Sequence, residues 1–148
     1  MCVISAEELL LWKEKQILKG GDNKSLSLLI DSLGGLSKKD LNLLKIKSEK
    51  HVKLKINLDL LSNFWDKHLL TSIPIQYLSG FSYWRDLKLE VSNKVLIPRS
   101  ETELIIEIIL GKFKNKEERI TFVDLGTGSG AISIALAMAN PNWHGIAT

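Results

Sequence analysis

Apolar positions recur every three or four residues through the first half of the chain and every second residue just past its midpoint. The first period belongs to helices with one buried face, the second to strands with one buried face. Ser5-Ala6-Glu7-Glu8 sets a serine three residues ahead of a glutamate, a pairing that satisfies orphan N–H groups at a helix start. The helix so opened carries Leu9, Leu10, Trp12 and Ile17 and ends at Gly20-Gly21. A second helix is expected over residues 25–33, stopped by Gly34-Gly35. Ser37-Lys38-Lys39-Asp40 reads as the start of a third, leading into Leu41 and Leu44. Leu54, Leu58, Leu61, Trp65 and Leu69 form one stripe and predict a fourth helix. It closes between Thr71 and Pro74, because the residue before proline avoids the helical region. Four short helices with glycine-marked turns predict a small helical domain.

From Phe81 the period drops to two. Leu87, Leu89 and Val91 alternate with Lys88, Glu90 and Ser92, the pattern of a half-buried strand, and residues 81–84 are its expected partner across an Arg85-Asp86 turn. Val95-Leu96-Ile97 is a short apolar run ended by Pro98. Ser100-Glu101-Thr102-Glu103 has the spacing of a second capping box, opening a helix with Leu104, Ile105, Ile108 and Ile109 as its expected core face and Gly111 as its stop. Residues 112–119 are charged and read as a surface loop or fraying helix end. Ile120-Thr121-Phe122-Val123 reads as a buried strand, followed by Asp124-Leu125-Gly126-Thr127-Gly128-Ser129-Gly130, a small apolar helix over 131–139, and Asn140-Pro141 as its stop. His144 to Thr148 then begins a second strand.

Composition narrows the classes. Hydrophobic residues make up 45% and charged residues 25% of 148 positions, as in a soluble globular protein. A net charge of +3 does not call for nucleic acid or membrane partners. The single cysteine, Cys2, excludes an intrachain disulfide, and His51, His68 and His144 lack metal-ligand spacing, so no metal is expected. Glu7 and Glu8 interrupt the stretch where a signal peptide would be apolar, and glycines and Pro141 break the uncharged run from Leu125 to Thr148, so no membrane span is expected and the default location is cytoplasmic. The net positive charge sits in residues 1–75, while residues 76–148 balance. Lys45, Lys47, Lys50, Lys53 and Lys55 cluster there. Without interleaved aromatic residues they read as a solvated surface rather than a contact for RNA or an acidic partner.

Strand, glycine loop and helix in succession is the arrangement that binds nucleotide-like ligands in α/β sheets. Glycine permits positive φ and lets the backbone approach a ligand closely, and the N–H groups at the helix start favour an anion. Gly126, Gly128 and Ala131 fit a loose dinucleotide pattern. Two features favour S-adenosylmethionine instead. Asp124 stands two residues before the first glycine, where a carboxylate can accept hydrogen bonds from an amino group, and glycine occupies all three alternate positions 126, 128 and 130. No Gly-Lys-Ser/Thr follows, which excludes a Walker-type phosphate loop.

Several blocks together resemble the release factor glutamine methyltransferases (the HemK/PrmC family). They are Pro74-Ile75-Gln76-Tyr77-Leu78-Ser79-Gly80 with Phe81 and Trp84, Leu96-Ile97-Pro98-Arg99-Ser100-Glu101-Thr102-Glu103, and Asp124-Leu125-Gly126-Thr127-Gly128-Ser129-Gly130-Ala131-Ile132. The order and spacing match along essentially the whole chain; Ser100 stands where the family usually has proline, and both suit a helix start. The resemblance implies an α/β protein in three parts. Residues 1–75 form a helical domain that binds the release factor, 76–97 a β-hairpin linker, and 98–148 the incomplete beginning of a Rossmann-like, S-adenosylmethionine-dependent methyltransferase domain. It implies methylation of the side-chain amide nitrogen of the glutamine in the Gly-Gly-Gln motif of class 1 peptide chain release factors. It also implies a monomer, with no direct nucleic-acid or membrane partner. Asp124, Gly126, Thr127, Gly128, Ser129 and Gly130 become the donor-binding residues. Arg99, Glu101 and Glu103 become neighbours of the active site, with helix capping and a structural salt bridge as the alternative roles.

A primary amide nitrogen is a poor nucleophile, and the family holds it with a downstream Asn-Pro-Pro-Tyr motif that these residues do not contain. An acidic residue at the end of the second strand, for the ribose hydroxyls, is absent too. Only 54 residues follow from Val95, few for such a domain. The expectation is an N-terminal half without turnover of its own, with Ile132, Ile134, Leu136 and the 120–123 strand left exposed. Two other readings stay open: a non-catalytic module that binds a release factor or another partner, and an N-methyltransferase acting on another protein or on nucleic acid.

Overall fold

The computed structural model describes residues 1–44, 51–113 and 119–148. The chain divides into two compact units, Met1–Ser79 and Gly80–Thr148. Both mix helices with small sheets, so the class is α/β.

The first unit contains β1 (Cys2–Ser5), α1 (Ala6–Leu18), α2 (Asn23–Leu29), α3 (Lys38–Leu44), β2 (His51–Leu54), α4 (Leu58–Thr71) and α5 (Ile75–Ser79). Ser5 caps α1 as its spacing predicts, Oγ accepting the Glu8 N–H at 3.0 Å. Ser37 does the same for Asp40 and returns its own proton to the Asp40 carboxylate at 2.6 Å. Asp22 and Asn57 cap α2 and α4. The second helix starts two residues earlier than expected, and its last turn widens into a π-helical turn over Ile30–Gly34 before Gly35 stops it at φ +74°. Leu54 is not on the fourth helix. Residues 51–54 alternate outward and inward as β2, pairing antiparallel with β1 in the register Cys2↔Leu54. The helix begins only after the Asn57 cap. Leu54 fits either period, and the long-range partner strand decides between them. Of the lysine cluster, Lys53 and Lys55 are exposed, and Lys45, Lys47 and Lys50 fall outside the described residues.

The core of this unit gathers Leu9, Leu26, Leu29, Ile30, Leu54, Leu61 and Trp65, all fully buried. Trp65 donates its indole N–H to the Gln16 carbonyl at 3.1 Å, and Trp12 donates to Ser62 Oγ at 2.8 Å, so both tryptophans bury without stranding a donor. Gly21, at φ +81°, lies so close to the Trp65 ring that a Cβ would sit 2.6 Å from it.

The second unit contains the hairpin β3 (Phe81–Trp84) and β4 (Leu87–Glu90), then α6 (Glu103–Lys112), β5 (Thr121–Asp124), α7 (Ala131–Ala139) and β6 (His144–Ala147). The hairpin turns at Arg85-Asp86 as expected, with Arg85 at φ +50° and Trp84 paired with Leu87. β5 and β6 run parallel, Thr121 against His144 and Asp124 against Ala147. Trp84, Leu87, Leu89, Ile106, Ala131, Ala135, Leu136 and Trp143 form the core. Val95-Leu96-Ile97 forms no regular element, and Leu96 is exposed.

Two expectations for α6 fail. Its buried residue is Ile106, whereas Leu104, Ile105 and Ile108 are exposed and Ile109 only half-buried. The helix is apolar nearly all round, so its own pattern does not choose a face; packing against α7 chooses. No capping box forms either. Ser100–Thr102 is a 3₁₀ turn, and Thr102 precedes α6 with helical dihedrals and no side-chain cap. The expected exposure of the strand–helix pair holds only in part. Leu136 is buried and Ile132 half-buried, because α6 and β4 pack on α7 and cover them. Val123, Ile134 and Ile146 remain exposed.

Candidate functional site

The glycine loop leaves β5 at its carboxyl end. Asp124 is the last residue of the strand, and its carbonyl accepts the Thr148 N–H at 3.0 Å. The Thr148 carbonyl in turn accepts the N–H groups of Gly126 and Thr127, at 2.9 and 3.0 Å. The loop is therefore held to the chain that continues β6. It closes on itself where Gly130 N–H donates to the Thr127 carbonyl, and Gly130, at φ +77°, is the residue before α7.

Gly126 and Gly128 are the informative glycines. Both have positive φ, +71° and +58°, which L side chains adopt only with strain. A Cβ built on Gly126 meets nothing within 4 Å, and one on Gly128 meets only the Gly126 carbonyl at 4.0 Å. Packing does not demand these glycines, unlike Gly21 against Trp65. They leave open space at the mouth of the loop. α7 opens beside that space with no side-chain cap, so the N–H groups of its first turn are unmatched within the helix.

Asp124 stands at the same mouth with a defined orientation. Its Oδ2 accepts two hydroxyl hydrogens, from Thr127 at 2.8 Å and from Ser133 at 2.7 Å. Among the described residues no donor reaches Oδ1. Ser133, in the first turn of α7, is the member of this group that sequence reasoning missed. Its signal was there to read: it is the one polar residue in Ala131–Ala139.

The structure holds Asp124, Gly126, Thr127, Gly128, Ser129 and Gly130 in one loop. The Arg99 carbonyl accepts the indole N–H of buried Trp84 at 2.8 Å, which fixes this segment's backbone to the hairpin. The Arg99 and Glu101 side chains are exposed and Glu103 is half-buried. Among the described residues, no ion pair joins Arg99 to Glu101 or Glu103, and no hydrogen bond links any of the three to the loop. The salt bridge of the alternative role is therefore not formed among the described residues. The described residues contain no cluster of three or more His, Cys, Asp or Glu able to hold a metal, and no helix long and apolar enough to cross a membrane.

No family model matches the chain. Individual proteins do. The chain is 44% identical over 142 residues to the release factor glutamine methyltransferase of Prochlorococcus marinus, covering 95% of this chain and 48% of that protein. It is 33% identical to the protein of the same name from Gloeobacter violaceus, over 88% of this chain and 45% of the relative. It is 32% identical to that of Synechocystis, over 93% and 48%. The chain spans about half the length of the curated relatives it matches. With the glycine loop and nearly every other residue lying inside these matches, the chain is homologous to part of proteins named release factor glutamine methyltransferase.

Proposed function

We propose that the loop of residues 124–130 binds S-adenosylmethionine, and that the chain is the donor-binding part of a Rossmann-like methyltransferase acting on the glutamine side-chain nitrogen of peptide chain release factors in the cytoplasm. The observation that carries the reading is the pairing of opposite charges at one mouth. A carboxylate, Asp124, faces the space beside the uncapped N-terminus of α7. An α-amino acid moiety is a zwitterion and meets both: its ammonium is suited to Asp124 and its carboxylate to the helix N–H groups. A dinucleotide diphosphate would instead bring negative charge toward Asp124. The open positions at Gly126 and Gly128 leave the backbone accessible to such a ligand.

Bound there, S-adenosylmethionine supplies an electrophilic methyl group on sulfur. The chain's own residues orient the donor: Asp124 receives the ammonium, and the positive-φ glycines admit the donor to the backbone. Thr127 and Ser129 complete the loop between them. The groups that hold the amide in line belong, by resemblance, to an Asn-Pro-Pro-Tyr motif outside these 148 residues. The helical unit has its own core, which favours a second, compatible role: docking the release factor independently of the donor.

Isothermal titration of the 148-residue chain with S-adenosylhomocysteine tests the donor site. Saturable binding that Asp124→Ala abolishes is expected, and absence of binding refutes the proposal. A radiolabelled methyl-transfer assay with a release factor should give no turnover from this chain alone; turnover would show that the amide-holding groups lie within it.

A further inference from the structure

We infer that Ser133 is a positioning residue for donor binding, one that turns the Asp124 carboxylate so that a single oxygen is offered to the ligand's α-ammonium. The inference rests on the donor-binding reading above. A carboxylate oxygen presents two lone pairs, and Oδ2 of Asp124 spends both, on Thr127 Oγ1 at 2.8 Å and Ser133 Oγ at 2.7 Å. The two donors come from different elements, Thr127 from the loop and Ser133 from α7. They therefore fix the rotation of the carboxylate about its Cβ–Cγ bond as well as its position. Oδ1 is left with no donor among the described residues, and it is the oxygen available to a cationic ligand group.

The serine's placement fits this role better than a packing one. Inside the other helices the hydroxyls of Ser27, Ser32, Ser62 and Thr71 bond the carbonyl four residues back. Ser133 sits in the first turn of α7, where no such carbonyl exists within its own helix, and its hydroxyl goes to Asp124. Its neighbours in Ala131–Ala139 are all alanine, isoleucine, leucine or methionine. Alanine would serve the helix at least as well. What Ser133 adds is one hydroxyl, and that hydroxyl is on the carboxylate.

The test compares two probes on the full chain: S-adenosylhomocysteine, and its analogue lacking the α-amino group. Ser133→Ala should weaken S-adenosylhomocysteine about three- to tenfold, the loss of one charge-assisted hydrogen bond with Thr127 still in place. It should leave binding of the deaminated analogue unchanged. Ser133→Thr keeps the hydroxyl and should restore the discrimination. Equal weakening of both probes, or no change in either, overturns the positioning role while the donor-binding reading stands. Failure of the unsubstituted chain to bind either probe overturns both.

Discussion

Gly126→Ala should separate the loop's ligand role from its structural one. The structure sets the size of each effect. The added Cβ meets no atom within 4 Å, so it creates no clash. Its cost is the positive φ of +71°, about 1–2 kcal/mol for a residue with a side chain. For a unit the size of Gly80–Thr148 that corresponds to a melting temperature lower by roughly 4–16 °C. Gly145→Ala is the control. Its Cβ would lie no more than 3.0 Å from three atoms of the Phe122 ring across the β5–β6 pair, so that ring must move even though Gly145 lies outside the loop. The assay is thermal unfolding by circular dichroism, with and without S-adenosylhomocysteine. A site-specific ligand at a hundred times its dissociation constant adds about 2.7 kcal/mol to the unsubstituted protein. Gly126→Ala should melt modestly lower and gain nothing from the ligand; Gly145→Ala should be the more destabilised of the two. An unchanged ligand response in Gly126→Ala would refute the loop as the donor cradle. A larger loss of stability in Gly126→Ala than in Gly145→Ala would refute the claim that its Cβ direction is open.

Trp65→Phe removes the indole donor from the Gln16 carbonyl, which keeps the Lys19 N–H at 3.1 Å. Urea unfolding should show a loss of about 0.5–1.5 kcal/mol from the bond, and no measurable loss would deny the bond any weight. Asp22 and Asp31 should respond to acid in opposite directions. The Ser25 hydroxyl and then the Ser25 N–H hold the Asp22 carboxyl below the ordinary 3.8, so its capping contribution is complete above 3.8 and is lost as pH falls from there through the lowered folded-state value. Burial pushes Asp31 above 3.8, with Asp40 adding to the rise and Lys55 opposing it. Its charge therefore costs stability at neutral pH, and Asp31→Asn should stabilise there, a gain that vanishes in melts run below pH 3.8. A gain that persists in acid would mean the cause is not the charge.

The features legible in the sequence are those decided within a few residues. The Ser5 cap, the Arg85-Asp86 turn, the bounds of α7 and the glycine loop each carry their own local requirement, whether a hydroxyl three residues ahead of an N–H or a φ that only glycine adopts freely. What escaped depended on distant partners. Nothing near Leu54 says that it pairs with Cys2 rather than extending the helix of Leu58. Leu104, Ile105, Ile106, Ile108 and Ile109 leave the buried face of α6 undetermined until α7 packs on it. The site shows the same division. The carboxylate and glycines were readable in order along the chain, whereas Ser133 stood out there only as the one polar residue of α7, and its partner became visible when the start of α7 was folded back beside Asp124.

The two units should differ in self-sufficiency. In the first, the buried stripes of α1, α2 and α4 and the paired β1 and β2 converge on one core, and its largest side chain, Trp65, has its one polar group matched. In the second, the β5–β6 pair has no further strand on either edge among the described residues, all four residues of β6 are exposed, and Leu125 and Met138 are 78% and 65% accessible. Parallel strands are normally covered on both faces, because apolar side chains on an open face and unpaired edge groups offer a template for association. Residues 1–79 expressed alone should therefore unfold in one cooperative transition, with a dispersed amide spectrum. Residues 80–148 alone should bind a hydrophobic dye and self-associate as concentration rises. A non-cooperative melt from the first piece would show that its core depends on the second. A monodisperse, dye-silent second piece would show that the exposed strand faces need no cover.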